Sequence, residues 1–486
     1  MKIFTLSLLL ASSLFAQSIN TQLILGNDLN VARMFHISVC SGNSIYFFGG
    51  HTTGFVSINT AERRILNPFS NTNISQISPR DNSGFTKLND GRYYLAGGAF
   101  DLGVPAYISA EIFNPVTNQF TQTGDLLYAR MWGTAATLQS GKVLISGAWY
   151  NNQAANIAEI YDPATGTNSI ADTTKVERAN PVILPTSDGG AIIFSGYPVY
   201  GGDDLETVEY YNSVTNEITI LRDNLVENEP GWYSNRVSTR TVPVDNFKMQ
   251  DGRYAMILDS GSVSGALTYK IAIFNPADKS FNWLALSEPL PTSNEYRFYD
   301  PVLDPVKNVL YLPGVIQVAD IATVRLFAIE LSTGKVLVSP NTHTLASGYY
   351  FGGSTLCLDP NGNLLFSGGR SAPNNFNASS RTFTIVPNYV TDATETTPSE
   401  FKLSINCFPN PFNNSTNIKY TVNTTGLVQL EVFDILGVRI KQIVNEVLQA
   451  GEYTTNFEAK DFTSGTYIVR LINNGKVKTE KIIYLK

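Results

Sequence analysis

The chain has 486 residues, 43% hydrophobic and 11% aromatic, with only 15% charged and with 37 Gly and 23 Pro. That length calls for two or more domains, and abundant turn formers among aromatics predict many short strands joined by tight turns. The formal net charge of −7 does not supply the clustered positive surface that nucleic-acid binding needs, so no nucleic-acid partner is expected.

The chain begins with Met1-Lys2, an apolar stretch from Ile3 to Leu14, and Phe15-Ala16-Gln17. A charged start, a short apolar region and a small residue at a cleavage point read as a signal peptide over 1–16. The apolar run falls short of the ~20 residues a spanning helix needs, and no later segment qualifies, so no stable membrane span is expected. No cysteine follows the cleavage point, which argues against a lipoprotein. The three cysteines, Cys40, Cys357 and Cys407, are too few for a disulfide framework and match no metal-ligand spacing. Cys40 and Cys357 could still pair if the fold made the first and last repeats neighbours; small buried hydrophobes are the plainer reading.

From residue 17 to 387 the sequence repeats. A turn, an apolar strand and a small-residue pair recur as SGNSIYFFGG (41–50), NDGRYYLAGG (89–98), QSGKVLISG (139–147), SDGGAIIFSG (187–196), QDGRYAMILDSG (250–261), VKNVLYLPG (306–314) and NGNLLFSGG (361–369). A second signature follows most copies, as in EIFNPVTNQF (111–120), EIYDPATGT (159–167), EYYNSVTNEI (209–218) and IAIFNPADKSF (271–281): strand, turn, strand. Asp-Gly and Asn-Gly pairs predict two-residue hairpins in which both central residues take positive φ. Each unit is expected to be a four-stranded antiparallel meander that buries its faces only by stacking on its neighbours. The glycine pair, the acidic-aromatic-Asn/Asp-Pro run and the period near fifty resemble kelch repeats, which implies a seven-bladed β-propeller. The seventh copy lacks a final strand, and INTQLILGNDLNVAR (19–33) matches the missing one, so residues 19–30 are expected to close the ring.

A polar, Thr-rich segment, 388–400, reads as a linker. From 401 to 486 short alternating strands predict a small Ig-like β-sandwich. Over Lys402–Lys486 ten Lys and Arg face seven Asp and Glu, a surplus of three that leaves the rest of the chain at −10. The segments CFPNPFNNSTNIKYTV, VFDILGVRI, AGEY, SGTY and KVKTEKIIYLK resemble the type A C-terminal sorting domain of the Por (type IX) secretion system of Bacteroidetes-like bacteria. The resemblance places its motif on Pro409, Asn410, Pro411, Gly437, Gly451, Gly465 and Lys486, and it implies recognition by the outer-membrane translocon and delivery to the cell surface or beyond. Cys407 stands where an aromatic is common, and Asn414 where a proline is frequent.

Before the inner strand of successive repeats an arginine recurs: Arg33, Arg80, Arg130, Arg178, Arg240 and Arg297. In a propeller such residues stand near one mouth of the channel, where guanidinium groups could bind an anionic ligand; they could equally hydrogen-bond loop carbonyls of a neighbouring blade. Trp132, nearby, could stack on a sugar ring. A longer spacing marks an insertion over 222–239 whose Trp232 and Tyr233 are further candidates for ligand contact. No catalytic residue, metal site or cofactor is assigned. His36, His51 and His343 lack paired metal spacing, and the set of two tyrosines, two histidines and a thioether-forming cysteine used by copper oxidases on kelch propellers does not map onto this chain. The function expected is binding of a glycan or protein outside the cell, with a carbohydrate-active lyase, epimerase or hydrolase as the alternative.

Overall fold

The computed structural model describes residues 16–76, 78–99, 106–150, 153–198, 205–233, 244–261, 266–318, 321–345, 349–371, 377–391, 403–422, 426–448, 451–460, 462–473 and 476–486. The signal-peptide residues before Ala16, together with Arg240 and 234–239 of the insertion, lie outside them.

Hydrophobic runs bounded by turns become strands, and almost nothing is helical. The first sheet pairs Ile37–Ser41, Ser44–Phe48, Thr60–Leu66 and Phe69–Ser75 in sequence order. The second sheet (Gly84–Lys87, Tyr93–Ala96, Ala110–Asn114, Gln119–Thr123) and the fourth (Val182–Pro185, Ala191–Phe194, Val208–Asn212, Glu217–Arg222) repeat this order. Between them the third pairs Thr134–Thr137, Val143–Ser146, Gln153–Asp162 and Thr167–Arg178. Three further sheets begin at Tyr254–Ser260, Arg297–Phe298 and Tyr350–Leu358, with antiparallel pairing in the ladders from Ile37 to Ile385. Second strands such as SIYFF and AIIF are buried at every position because a neighbouring sheet covers each face, whereas fourth strands such as QFTQT are largely exposed.

Packing passes from each sheet to the next. Phe48 meets Phe113 at 4.7 Å between the first and second sheets, and Tyr94 stacks on Tyr161 at 4.3 Å between the second and third. Shared cores then link the third, fourth and fifth sheets, the fifth and sixth, and the sixth and seventh. Ile45 and Phe47 of the first sheet pack with Cys357 and Leu365 of the seventh, so the series returns on itself. The strand Ala16–Leu25 is the outer neighbour of Thr382–Thr391, and Leu29 N donates to Ser380 O and Arg33 N to Ser379 O. The architecture is all-β and propeller-like.

Two local features differ from expectation. The strand Thr382–Thr391 runs into the segment read as linker, where Tyr389 packs on the core and donates to Tyr311 Oη at 2.9 Å. Pairing with Leu364–Arg370 ends at Ile385, so Pro387 has no ladder bond to lose on that side. The Asp-Gly turn is also not the two-residue type: Gly91 N donates to Leu88 O, and Gly91 alone takes positive φ (86°), a type I turn closed by a left-handed glycine.

The chain divides into two compact units, Ala16–Val390 being one and the C-terminal segment the other. The second unit has two sheets around one core. Ser404–Phe408, Ser415–Val422 and Gly451–Glu458 form one sheet; Arg439–Leu448, Gly426–Asp434, Gly465–Asn473 and Lys476–Tyr484 form the other. Ile418, Val432, Phe457, Val469 and Cys407 fill the space between them. Asn410 latches the opening turn to the last strand: its Nδ2 donates to Lys481 O at 2.7 Å, and its Oδ1 accepts from Ile483 N at 2.9 Å. Gly437 (φ 82°) makes the central turn, with Asp434 Oδ1 accepting from Leu436 N and Val438 N. Gly451 and Gly465 do not take positive φ, and a Cβ at either would meet only ordinary contacts; neither glycine is forced by backbone geometry. Lys486, exposed at the end, donates its N–H to Ser464 Oγ.

Candidate binding site

In the first four sheets the residues that precede the inner strand and those that follow the second strand meet at one end of the sheet. Short bridges join Met34 to His51, Asp81 to Ala99, Met131 to Trp149 and Ala179 to Tyr197. One residue further on, Phe35, Asn82, Trp132 and Asn180 all take left-handed backbone, with φ between 49° and 55°. That conformation is costly for an aromatic residue, and here a belt of main-chain bonds holds it: Phe35 N to Gly353 O, Trp132 N to Asn82 O and Asn180 N to Trp132 O, at 2.7 to 2.9 Å.

The arginines just ahead of these residues do not line a mouth. Arg33, Arg80, Arg130 and Arg178 are each 2% exposed or less. Arg80 Nη1 donates to Gly97 O and Ser109 O, and Nη2 to Ser109 Oγ and Glu111 Oε1 at 2.7 Å. Arg33 with Glu62, Arg130 with Glu159 and Arg178 with Glu209 repeat the arrangement. Each glutamate also accepts from backbone N–H of the incoming segment: Asn30 and Val31 on Glu62, Ser78 on Glu111, Leu127 and Tyr128 on Glu159, Lys175 on Glu209. Burial lowers the pKa of Arg33, Arg130 and Arg178, opposed by the partner carboxylate. The expected cationic ligand ring is therefore corrected for these four: both Nη atoms of each are consumed by the protein, because the sheets close over them. Arg297 is exposed on the short strand Arg297–Phe298 and has no part in the pattern.

What this end does present is aromatic and polar. Trp132 and Tyr197, both half-buried, lie 5.9 Å apart between centroids, and Trp132 lies 5.6 Å from Trp149. Beside them His51 is held between the rings of Phe35 and Phe55, at 5.3 and 5.1 Å, and its Nδ1 is 2.8 Å from Asp81 Oδ2. A small pocket of about 10 Å³, room for about one water or one hydroxyl group, lies between the first two sheets and is lined by Asp81, Asn82, Arg80, Gln76 and Phe35. Trp232 and Tyr233 of the insertion have other neighbours. Trp232 sits 4.9 Å from Trp283 with Lys270 Nζ 4.6 Å from its ring, while Tyr233 donates to Glu206 Oε1.

His51, Asp81 and Gln76 were invisible as a set because no short spacing unites them. The available signal was a departure from the repeat: His51 and Asp81 put an imidazole and a carboxylate where the other three of the first four copies carry Ala, Trp or Tyr, and Met or Ala, respectively. The glutamate partners were more legible, since they follow their arginines by 29, 31, 29 and 31 residues.

Residues 406–485 match the family model described as the secretion system C-terminal sorting domain. No curated protein matches the chain. Among solved structures, a fungal alcohol oxidase of the AA5 family, in complex with copper, is similar in fold, with a TM-score of 0.55 at 13% identity over 95% of this chain and 99% of its own. Among the described residues the three histidines do not form a copper centre. Among the described residues no three His, Cys, Asp or Glu gather closely enough to hold a metal ion. His36 shares hydrogen bonds with Ser367 and Thr355, His51 with Asp81, and His343 with Thr21. Burial drives the His36 pKa well below its ordinary value, helped by Arg33, and it pushes the Cys357 thiol up to about 12 and that of Cys40 to about 11. The cysteines are free thiols. The sorting-domain match supports export to the cell surface or outside through the type IX system.

Proposed function

We propose that the chain is an exported binding protein: a signal peptide over 1–16, a kelch-like seven-bladed propeller from 17 to about 390, and a type A sorting sandwich from 401 that the type IX translocon recognises. The propeller binds a glycan or a protein at the surface or outside the cell through its loop-bearing end. Seven antiparallel sheets packed in a closed series support the propeller reading. One observation carries the binding role: half-buried Trp132 and Tyr197 stand in fixed backbone beside a hydrogen-bonding pocket. Rigid aromatic faces flanked by a few placed polar groups are what ligand sites are made of. The Nη groups of the four buried arginines enter this proposal only as scaffold.

An enzymatic reading keeps one supporting feature, the carboxylate-paired His51, whose Nε2 has no partner and could act as a general base. The discriminating experiment is a glycan array on the full chain, with Trp132→Ala and Tyr197→Ala titrated against any hit and reducing-end assays run beside it. Loss of about tenfold in affinity per variant, ~1.4 kcal/mol, without product release is expected. Unchanged binding in both variants would sink the role assigned to this end, and turnover would replace it with catalysis.

A further inference from the structure

The pocket between the first two sheets contains polar atoms that the protein leaves unsatisfied. Gln76 is 3% exposed, and neither its Oε1 nor its Nε2 makes a hydrogen bond; Asp81 Oδ1 and Arg80 Nε, from two other lining residues, are likewise buried without a partner, as is Nε2 of His51, which stands behind the lining on Asp81. Leaving such groups unmet is costly, because each has given up its water without gaining a partner. The neighbouring backbone keeps the space clear: a Cβ on Gly49 would come within 3.3 Å of Gln76 Oε1 and 2.5 Å of Arg80 O.

The open valences specify a partner. Asp81 Oδ1 and Gln76 Oε1 accept; Arg80 Nε and Gln76 Nε2 donate; His51 Nε2 accepts when its Nδ1–H donates to Asp81. A carboxylate, sulfate or phosphate brings acceptors only and would face the Asp81 carboxylate, while the Arg80 charge is already met by Glu111. An ammonium brings donors only and would leave Arg80 Nε and Gln76 Nε2 unmet. A hydroxyl both donates and accepts. Phe35 lines this pocket, and Asn82, which also lines it, accepts the Trp132 N–H, so the polar groups adjoin the aromatic faces.

We propose that the pocket lined by Gln76, Arg80 and Asp81 reads one hydroxyl group of a neutral, polyhydroxylated sugar whose ring lies against the adjoining aromatics, and that it discriminates against uronates and other anionic glycans. The inference rests on the binding reading given above and narrows its ligand to one chemical class. Ordered water filling the same valences is the rival occupant.

Gln76→Leu separates the two. It removes an unsatisfied buried amide at nearly constant volume, so the melting temperature of the full chain should hold or rise whichever occupant is right. The probes are neutral gluco-, manno- and galacto-oligosaccharides and oligouronates of equal length, titrated calorimetrically. The expected result is binding of a neutral oligosaccharide by the unchanged chain, at least tenfold weaker in Gln76→Leu and in Asp81→Asn, with the uronates bound at least tenfold less well. Neutral-sugar binding that both variants retain means water alone fills the pocket and overturns this inference while leaving the proposed function standing. Preference for uronates overturns it as well. If the unchanged chain binds none of the probes, the glycan half of the proposed function falls with it.

Discussion

At the residue scale the most consequential feature is a buried ion pair used four times. Arg130 and Glu159 are both almost wholly enclosed, and between them they bind Gly147 O, Ile157 O, Leu127 N and Tyr128 N. The pair ties the segment entering an inner strand to the third strand of the same sheet. Breaking a buried pair from one side strands a charge in low dielectric, which costs about 3–5 kcal/mol, whereas replacing both members by apolar residues is far milder. Arg130→Met and Glu159→Leu should therefore each destabilise the body by about 3–5 kcal/mol, and the double variant Arg130→Met/Glu159→Leu by less than the two single changes together, with a coupling of about 0.5–3 kcal/mol. Urea denaturation of the four proteins checks this; additive costs would show that the two side chains act independently. The sequence displayed the arginines, yet whether a guanidinium faces a ligand or a carbonyl is decided by how sheets close over it. That information lies in contacts between residues some thirty apart rather than in any local pattern.

At the scale of elements, strand positions were legible and turn chemistry only partly so. The apolar runs and the Asn/Asp-Pro signatures fell on strands because alternation and run length are local properties. Turn type depends on which amide closes the loop. Gly91, Gly141, Gly189, Gly252 and Gly362 each donate their N–H to the carbonyl three residues back, at 2.9 to 3.1 Å, and each takes positive φ. A Cβ on Gly91 would meet nothing, so Gly91→Ala is penalised by conformation alone, at roughly 1 kcal/mol. Gly98 has the same sign of φ, but a Cβ there would lie 2.5 Å from Asp81 O, backbone that cannot yield. Gly98→Ala should cost more than twice as much as Gly91→Ala and should weaken ligand binding through displaced Asp81, while Gly91→Ala leaves binding untouched. Thermal melts paired with titration separate the two effects; equal costs would mean that the crowding at Gly98 is relieved by movement.

At the scale of the whole molecule the question is what keeps a series of sheets closed. The candidate site depends on that closure, since Phe35 is positioned by Gly353 of the seventh sheet. Hydrophobic contact alone leaves the outer edge of Thr382–Thr391 open, and an unpaired edge is a route to slippage and aggregation. The segment from Ala16 to Asn30 covers it. Besides strand pairing, Gly26 N donates to Thr382 O, Arg64 Nη2 to Asn27 O and Nη1 to Thr382 Oγ1, and Thr21 shares a hydrogen bond with Ser339. Apart from Arg64 with Asn27, these contacts join residues more than three hundred apart in sequence, and Arg64 with Thr382 ties the first sheet to the last across a long and entropically costly loop. The C-terminal sandwich, by contrast, has its own core and its own sheets. Deleting residues 17–30 should abolish the cooperative melting of the body and any ligand binding with it, whereas deleting 403–486 should remove only a separate, smaller calorimetric transition. A body that melts at an unchanged temperature without residues 17–30 would show that inter-sheet packing suffices and that the N-terminal strand is dispensable.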